Sequence, residues 1–552
     1  MLPPLFERHQ ETLRRAVAAA QARRYWSPYS DEVSRCGTDT VAGREALEAY
    51  RGAQFYLDQP GVMRRSGAEH SPYGLALSVS YPQCSPDALI TAAQSAMTHW
   101  AKAGAEVRAG VCLEVLARLA TGAGELGQAL MHTTGQPYSL ALNQGVVQAL
   151  ARGLEAVAIA WREMSALASS VAWERNLGTA TVRVTKRFVV VPKGVSLVVG
   201  CSAAPTWMAF PAIFASLVSG NPVIIKPHPM AILPLAITVA VIRKVLKEAG
   251  FDSNLVSLLV DDAEMPILRD IATRSEIKLI DFAGGHEMAR WLRENARQAE
   301  LFAFSSASNC VVIDSSRDYK GMLRYLVGAM TYYSGQLPTS PQAILVPATG
   351  INTPDGVISG AQFRRDLGMV LGKLLDDPLR AAEILGAPRA ETVARLDAAR
   401  QHGQVVRDSV TLDHPHWPGA KLHTPLLLET DFAQNELYGL HGAGLVVHLV
   451  EAPTTASALA VAERVMRAYG GIELLVYSDN PNVLQLAEES ALRVGVGLAT
   501  NLSGTMAEVM ALMYAAAFSD LQGGGMNPAS TATLIDSAFL LRRFSRCQLR
   551  LT

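Results

Sequence analysis

Gly194-Val195-Ser196-Leu197-Val198-Val199-Gly200, followed after one helix-length segment by Gly220-Asn221-Pro222-Val223-Ile224-Ile225, is the stretch that decides the fold. Each part is a short apolar run bounded by Gly or Pro, the pattern of a strand buried on both faces. Phe210 to Leu217 reads as a helix between them. The alternation continues with a helix over Ile232 to Ala249, a strand at Val256-Ser257-Leu258-Leu259-Val260, a helix around Pro266 to Arg274 and a strand at Ile277-Lys278-Leu279-Ile280-Asp281-Phe282. Strands alternating with helices predict right-handed βαβ units and a parallel sheet covered on both faces, an α/β architecture of nucleotide-binding type.

Upstream, Leu89 to Leu119 and Gly145 to Ala168 predict long amphipathic helices. A second α/β unit begins near Tyr319, with strands at Ala343-Ile344-Leu345-Val346-Pro347, Leu445-Val446-Val447-His448-Leu449 and Glu473-Leu474-Leu475-Val476-Tyr477. Its helices run from Gln362 to Leu374 and from Thr455 to Ala468, and the 402–420 region, with His414-Pro415-His416-Trp417-Pro418, reads as loop. Thr181 to Pro192 alternates polar and apolar residues, as does Arg546 to Thr552, so the two are expected to pair with each other or with another subunit. The domains expected are 1–318, with a projecting ribbon at 165–192; then 319–520; then 521–552, returning to the first domain and closing on an oligomerisation strand.

With 552 residues, 49% hydrophobic and 18% charged, the chain is long enough for two cores and ordinary for a globular protein. A formal net charge of -1 supplies no attraction to nucleic acid or anionic lipid, so small molecules and other subunits are the expected partners. Met1 to Arg8 lacks the basic and apolar segments of a leader, which predicts a cytoplasmic protein. Cys36, Cys84, Cys112, Cys201, Cys310 and Cys547 are scattered without Cys-x-x-Cys spacing, so no metal site is expected and reduced thiols are.

Several motifs follow one another along the chain: Pro205-Thr206-Trp207-Met208, Gly220 through Lys226-Pro227-His228-Pro229, Asp281-Phe282-Ala283-Gly284-Gly285, Gly335-Gln336-Leu337-Pro338, and Glu436-Leu437-Tyr438-Gly439. In this order they resemble the aldehyde dehydrogenase superfamily. Met131-His132-Thr133-Thr134-Gly135-Gln136, the Lys226 to Pro229 variant, Asp58-Gln59-Pro60-Gly61, Ser71-Pro72-Tyr73-Gly74 and Gly525-Met526-Asn527-Pro528 resemble its phenylacetic acid degradation, or PaaN-type, branch. The resemblance implies a Rossmann-like nucleotide-binding domain, an α/β catalytic domain and a small β oligomerisation element. It also implies oxidation of an aldehyde with NAD or NADP.

That chemistry needs a thiolate to form a thiohemiacetal, amide donors for the oxyanion and a carboxylate base. The resemblance puts Pro338 at the nucleophile, Met208 at the oxyanion Asn, and Phe304, within Leu301 to Asn309, near the base. Proline has no reactive side-chain atom and no backbone N–H, and a thioether cannot donate. Lys226, Glu436 and Tyr438 then match cofactor-binding positions, His228 replaces a ribose-binding Glu and so admits NADP as well as NAD, and Gly284 and Gly285 open a helix that can receive a pyrophosphate. Trp207, Met208, Phe210, Tyr332, Tyr333 and Gln336 would furnish a substrate pocket, with core packing as the alternative for the aromatics. Cys201, at the end of a strand, is the outside candidate for a substitute thiol, and burial as a structural thiol is its ordinary fate. Ser334 and Thr339 flank Pro338 and lack an adjacent base.

Three readings follow. The chain binds an aldehyde, acyl-CoA or carrier-bound intermediate for a non-oxidative step or as a non-catalytic subunit; or it is a cysteine-independent NAD(P)-dependent oxidoreductase acting on an aldehyde, semialdehyde or imine; or it is a structural partner in a homo-oligomer or in an assembly with an active homologue.

Overall fold

The computed structural model describes residues 3–29, 37–67, 69–262, 266–305, 308–440, 444–504 and 541–551. Cys36, Ser306, Ala307 and the Gly525 to Pro528 motif lie outside them. Two parallel sheets dominate. The first has five strands in the order Val256–Leu258, Val223–Lys226, Val195–Val199, Ile277–Gly284, Glu300–Ser305, every neighbour parallel. The second has seven, in the order Gln404–Arg407, Leu426–Glu429, Val446–Ala452, Pro341–Pro347, Asn309–Ile313, Glu473–Tyr477, Gly497–Thr500, with only the Gln404–Arg407 edge antiparallel. This is the α/β architecture that the apolar runs predict.

Three expectations need correction. Asn309–Ile313 lies inside the second sheet, so the chain changes sheets between Ser305 and Asn309, ahead of the expected boundary at 318/319. The 402–420 region, the most loop-like stretch by sequence, also carries two short strands: Gln404–Arg407 edges the large sheet, and Thr411–Asp413 forms a hairpin with Lys421–His423. The run Leu89 to Leu119 divides into helices Pro86–Lys102 and Ala105–Thr121 at Gly104, whose φ of 86° suits glycine. The Gly145 to Ala168 run likewise begins as a π-helical turn, Asn143–Gln148, before the helix Ala149–Ser165.

Helix Pro205–Val218 is buried along its whole length, because it is enclosed by the first sheet and by helix Ala149–Ser165. The helices approach closely at Gly153, where a Cβ would come within 2.8 Å of the Phe214 ring. Phe544–Leu551 pairs antiparallel with Thr181–Pro192, which pairs with Ser170–Asn176, giving a largely exposed three-stranded arm. The terminal strand and the ribbon thus pair within one chain. No helix among the described residues is long and apolar enough to cross a membrane.

The terminal strand is anchored by Arg543, which is fully buried. Its guanidinium forms an ion pair with Asp281 through both nitrogens, Nη1 at 2.9 Å from Oδ2, donates to Ser216 Oγ at 2.6 Å and lies over the Phe302 ring. Burial raises the Asp281 pKa while Arg543 opposes the rise. Arg543→Met should therefore cost about 3–5 kcal/mol in denaturant unfolding, because it strands a buried carboxylate, and adding Asp281→Asn should recover much of that loss.

Candidate functional site

Strand order in the first sheet reverses at Val195–Val199: the next two strands in sequence lie on one side, and Ile277–Gly284 and Glu300–Ser305 on the other. Such a reversal opens a crevice beyond the carboxyl ends of the two strands that flank it. Gly200-Cys201 and Gly284-Gly285 border that crevice. Gly285 is the N-cap of helix His286–Asn295 and supplies no side-chain cap, so the first-turn amides remain for an anion. His286 Nδ1, at the same terminus, is buried without a hydrogen-bond partner. A Cβ at Gly284 would lie 2.6 Å from the Phe282 ring, whereas one at Gly285 would meet nothing within 4 Å. Glycine is needed for space at the first position only.

Lys226 ends its strand with Nζ 2.6 Å from Asp261 Oδ1 and 3.2 Å from the Pro227 carbonyl. Two residues on, His228 Nδ1 accepts from the Met230 N–H at 3.2 Å. Burial, with help from Arg389 and Lys226, lowers the His228 pKa to about 4, so the ring is neutral at pH 7. Glu436 is exposed just ahead of the short helix Leu437–Leu440. Tyr438 is withdrawn into the core beside the second sheet, its hydroxyl donating to the Asp431 carbonyl at 3.0 Å. Its ring and hydroxyl are thus both occupied by packing.

The segment before Pro338 is a tight turn, Tyr332–Gly335, in which Tyr333, Ser334 and Gly335 have φ of 52°, 53° and 67°. Two consecutive left-handed residues with side chains cost about 1–3 kcal/mol each and persist only where the surroundings impose them. Here Tyr333 donates to the carbonyls of Thr134 at 2.8 Å and Ala203 at 3.3 Å, and Ser334 Oγ donates to Leu385 at 2.9 Å. The Tyr333 bond to Ala203 brings this turn against the start of the Trp207 helix. Gln336 donates to the Tyr333 carbonyl at 3.2 Å and accepts from Thr392 at 3.3 Å. Pro338 is half-buried, and its carbonyl accepts from Asn309 Nδ2 at 2.6 Å. Asn309 also donates to Ser340 and accepts from the amides of Ile472 and Glu473, so it ties the loop to two strands.

Trp207 is buried under the Arg152 guanidinium, 3.8 Å from the ring centroid, and Met208 is buried beside it. Tyr332 is buried with Tyr333. Phe210 departs from the expected pocket: it is fully buried edge-on to Phe214 and belongs to the core. Phe304 is half-buried in strand Glu300–Ser305, paired with Ala283.

None of the described cysteines lies in the Pro338 loop. Cys310 and Cys112 are buried, and burial pushes both thiols up to about 12. Cys84 is also buried and raised, while Cys547 is exposed on the arm. Cys201 is half-buried at the crevice, its sulfur accepting from the Ala204 N–H at 3.5 Å. Burial raises its pKa, and nearby amides and Arg389 only oppose the rise. A thiol held protonated is a poor nucleophile.

Two residues escape the motif-based reading. Arg389 enters from the segment ahead of helix Ala390–Ala399, donates to the carbonyls of Thr133 and Met230 (2.9 Å to the latter), and keeps Nη1 buried without a partner. Glu473 opens an otherwise apolar strand and shares a face with Leu475 and Tyr477, which pack with Tyr325, Tyr332 and Leu337. Burial raises the Glu473 pKa to about 7. A lone carboxylate at the head of an apolar strand is the one signal the sequence offers for it.

A carboxyl raised in the folded state contributes its stability below the unfolded pKa, here 4.5, and loses it as pH rises through about 7. Glu473→Gln should accordingly stabilise the chain at pH 8.5 by on the order of 1–3 kcal/mol and leave it nearly unchanged at pH 4.5. Denaturant midpoints at the two pH values measure the difference.

The Aldehyde dehydrogenase family model matches residues 80–352. The crystal structure of an NAD-dependent aldehyde dehydrogenase from Burkholderia multivorans is 41% identical, superposes with a TM-score of 0.95, and the match covers 100% of this chain and 99% of that one. A 1-pyrroline-5-carboxylate dehydrogenase from Thermus with bound NAD shares the fold at 17% identity and a TM-score of 0.71, covering 96% of this chain and 99% of that one. N-succinylglutamate 5-semialdehyde dehydrogenase of Chromobacterium violaceum is 23% identical over 293 residues, 52% of this chain and 56% of the relative, so the chain spans about half the length of that curated relative. With the reversed strand order, the uncapped crevice helix and the Tyr333 turn against the Trp207 helix, these likenesses show that the chain belongs to the aldehyde dehydrogenase family.

Proposed function

We propose that this chain, a PaaN-like member of its family, binds an aldehyde, an acyl-CoA or a carrier-bound intermediate between the Tyr332–Gly335 turn and the Trp207 helix without forming a thiohemiacetal. The reading rests on Pro338: the residue that the resemblance aligns with the nucleophile has no reactive atom, and the described thiols lie elsewhere. Met208 offers no hydrogen to an oxyanion, and Phe304 offers no base. What remains for these residues is to hold a carbonyl compound and keep water from it. A reactive aldehyde shielded in this way would pass to a non-oxidative step, or the chain would serve as a non-catalytic subunit of an aromatic, phenylacetate-type catabolic pathway or a related biosynthetic one.

The crevice fits a dinucleotide. The amides of helix His286–Asn295 and the unpartnered His286 Nδ1 suit a pyrophosphate, Lys226 and the neutral His228 suit a ribose, and the family resemblance alone gives Glu436 to the second ribose. Bound NAD or NADP would supply a hydride acceptor or donor. This favours a second reading, cysteine-independent hydride transfer to or from an aldehyde, semialdehyde or imine. The exposed arm, with Trp173, Leu549 and Leu551 outward, would pair with a second copy or with an active homologue.

In an assay of the full chain with succinic semialdehyde and NAD or NADP, we expect no oxidation that iodoacetamide abolishes. Pro338→Cys with Met208→Asn and Phe304→Glu should raise oxidation by about 100-fold or more if the scaffold is sound. Iodoacetamide-sensitive oxidation by the unaltered chain would overturn the reading. A saturable NADH fluorescence change with iodoacetamide-insensitive turnover would instead establish the second one.

A further inference from the structure

A cavity of about 700 Å³ lies apart from the crevice, where helix Gly37–Tyr50, the segment from Gln128 to Leu142, helix Pro378–Leu385 and the tip of the Thr411–His423 hairpin meet. None of its lining residues belongs to the Pro338 loop or to the dinucleotide positions. Its volume falls within the range of small-molecule sites, and sites between domains are common.

One wall is aromatic and pre-set. Tyr73 meets Trp417 edge-on at 5.9 Å and His414 at 5.5 Å, and Trp417 also meets His132 at 4.9 Å. The Tyr73 hydroxyl is fixed by donation to the Gln136 carbonyl at 2.8 Å. The hairpin tip is fixed as well: Gly74, at φ 78°, touches Gly419 so closely that a Cβ on it would lie 2.9 Å from the Gly419 Cα. Neither ring needs to reorganise to receive a planar ligand, which removes one cost of binding.

Two charges line the same cavity without satisfying each other. Arg44, from helix Gly37–Tyr50, and Glu383, from helix Pro378–Leu385, are both exposed at the rim of the cavity, and among the described residues neither is in an ion pair. They do not bridge one another within 4.0 Å. A guanidinium and a carboxylate at the rim of an aromatic-walled cavity complement one kind of small molecule.

We propose that this cavity is a binding site for an aromatic zwitterion of the amino-acid class, its ring against Tyr73, Tyr138 and Trp417, its carboxylate on Arg44 and its ammonium on Glu383. The site is independent of the aldehyde and dinucleotide sites. It gives the chain a second ligand that differs in charge pattern from either of theirs.

Calorimetry on the full chain with L-tryptophan, indole-3-propionate and tryptamine tests this. L-tryptophan should bind saturably at one site per chain and more tightly than either analogue. Arg44→Met should weaken L-tryptophan and indole-3-propionate by about fivefold or more while sparing tryptamine; Glu383→Gln should weaken L-tryptophan and tryptamine while sparing indole-3-propionate. Ala382→Trp, which fills the cavity, should abolish binding of all three; if that variant does not fold by circular dichroism, Ser139→Trp fills it from the other wall. No saturable binding of L-tryptophan, binding that survives a folded cavity-filling variant, or equal weakening of all three ligands by both charge variants would overturn the proposal.

Discussion

The C-terminal end of helix Ala123–Thr134 holds the two halves of the molecule together. The last carbonyls of a helix have no partners within it and must find them elsewhere. Here Arg389 donates to Thr133, Tyr333 to Thr134, the Ala387 amide to Gly135 and Tyr73 to Gln136. Three of the four donors come from beyond residue 330, so carbonyls at and just past the end of one helix join the two halves. Gly135 is compelled twice over, by a φ of 81° and by the Ala387 carbonyl, which a Cβ would meet at 2.0 Å. The positive Arg389 also sits at the negative end of the helix dipole.

The strained turn before Pro338 depends on that seam. The left-handed φ of Tyr333 is held because the tyrosine hydroxyl bridges the helix end and the Ala203 carbonyl. The turn is therefore fixed by the scaffold around it. Its geometry is upheld by hydrogen bonds to the scaffold, none of which involves the side chain of residue 338.

Much of this was legible in the sequence. Runs such as Val195–Val199 and Ile277–Phe282, alternating with helix-length segments, point to a doubly covered parallel sheet, and the order of the motifs gives the family. What was hidden depends on long-range packing. Asn309–Ile313 follows the first sheet in sequence, and only its neighbours Pro341–Pro347 and Glu473–Tyr477 reveal that it belongs to the second. The hairpin in 402–420 has three-residue strands amid His and Pro, too short for a period to register. Phe210 sits in a motif that points to a pocket, yet the helical turn directs it at Phe214. Arg389 and Glu473 are single charges whose importance comes entirely from what covers them.

Arg543 has a consequence for how the molecule is made. Asp281 belongs to a central strand of the first sheet, and its buried counterion lies more than 260 positions later in the chain. During synthesis the first sheet emerges without the counterion of that carboxylate and with one side of the Thr181–Pro192 ribbon unpaired, and both remain so until residues 543–551 arrive. The first sheet therefore gains its buried counterion only after every strand of the second has been made.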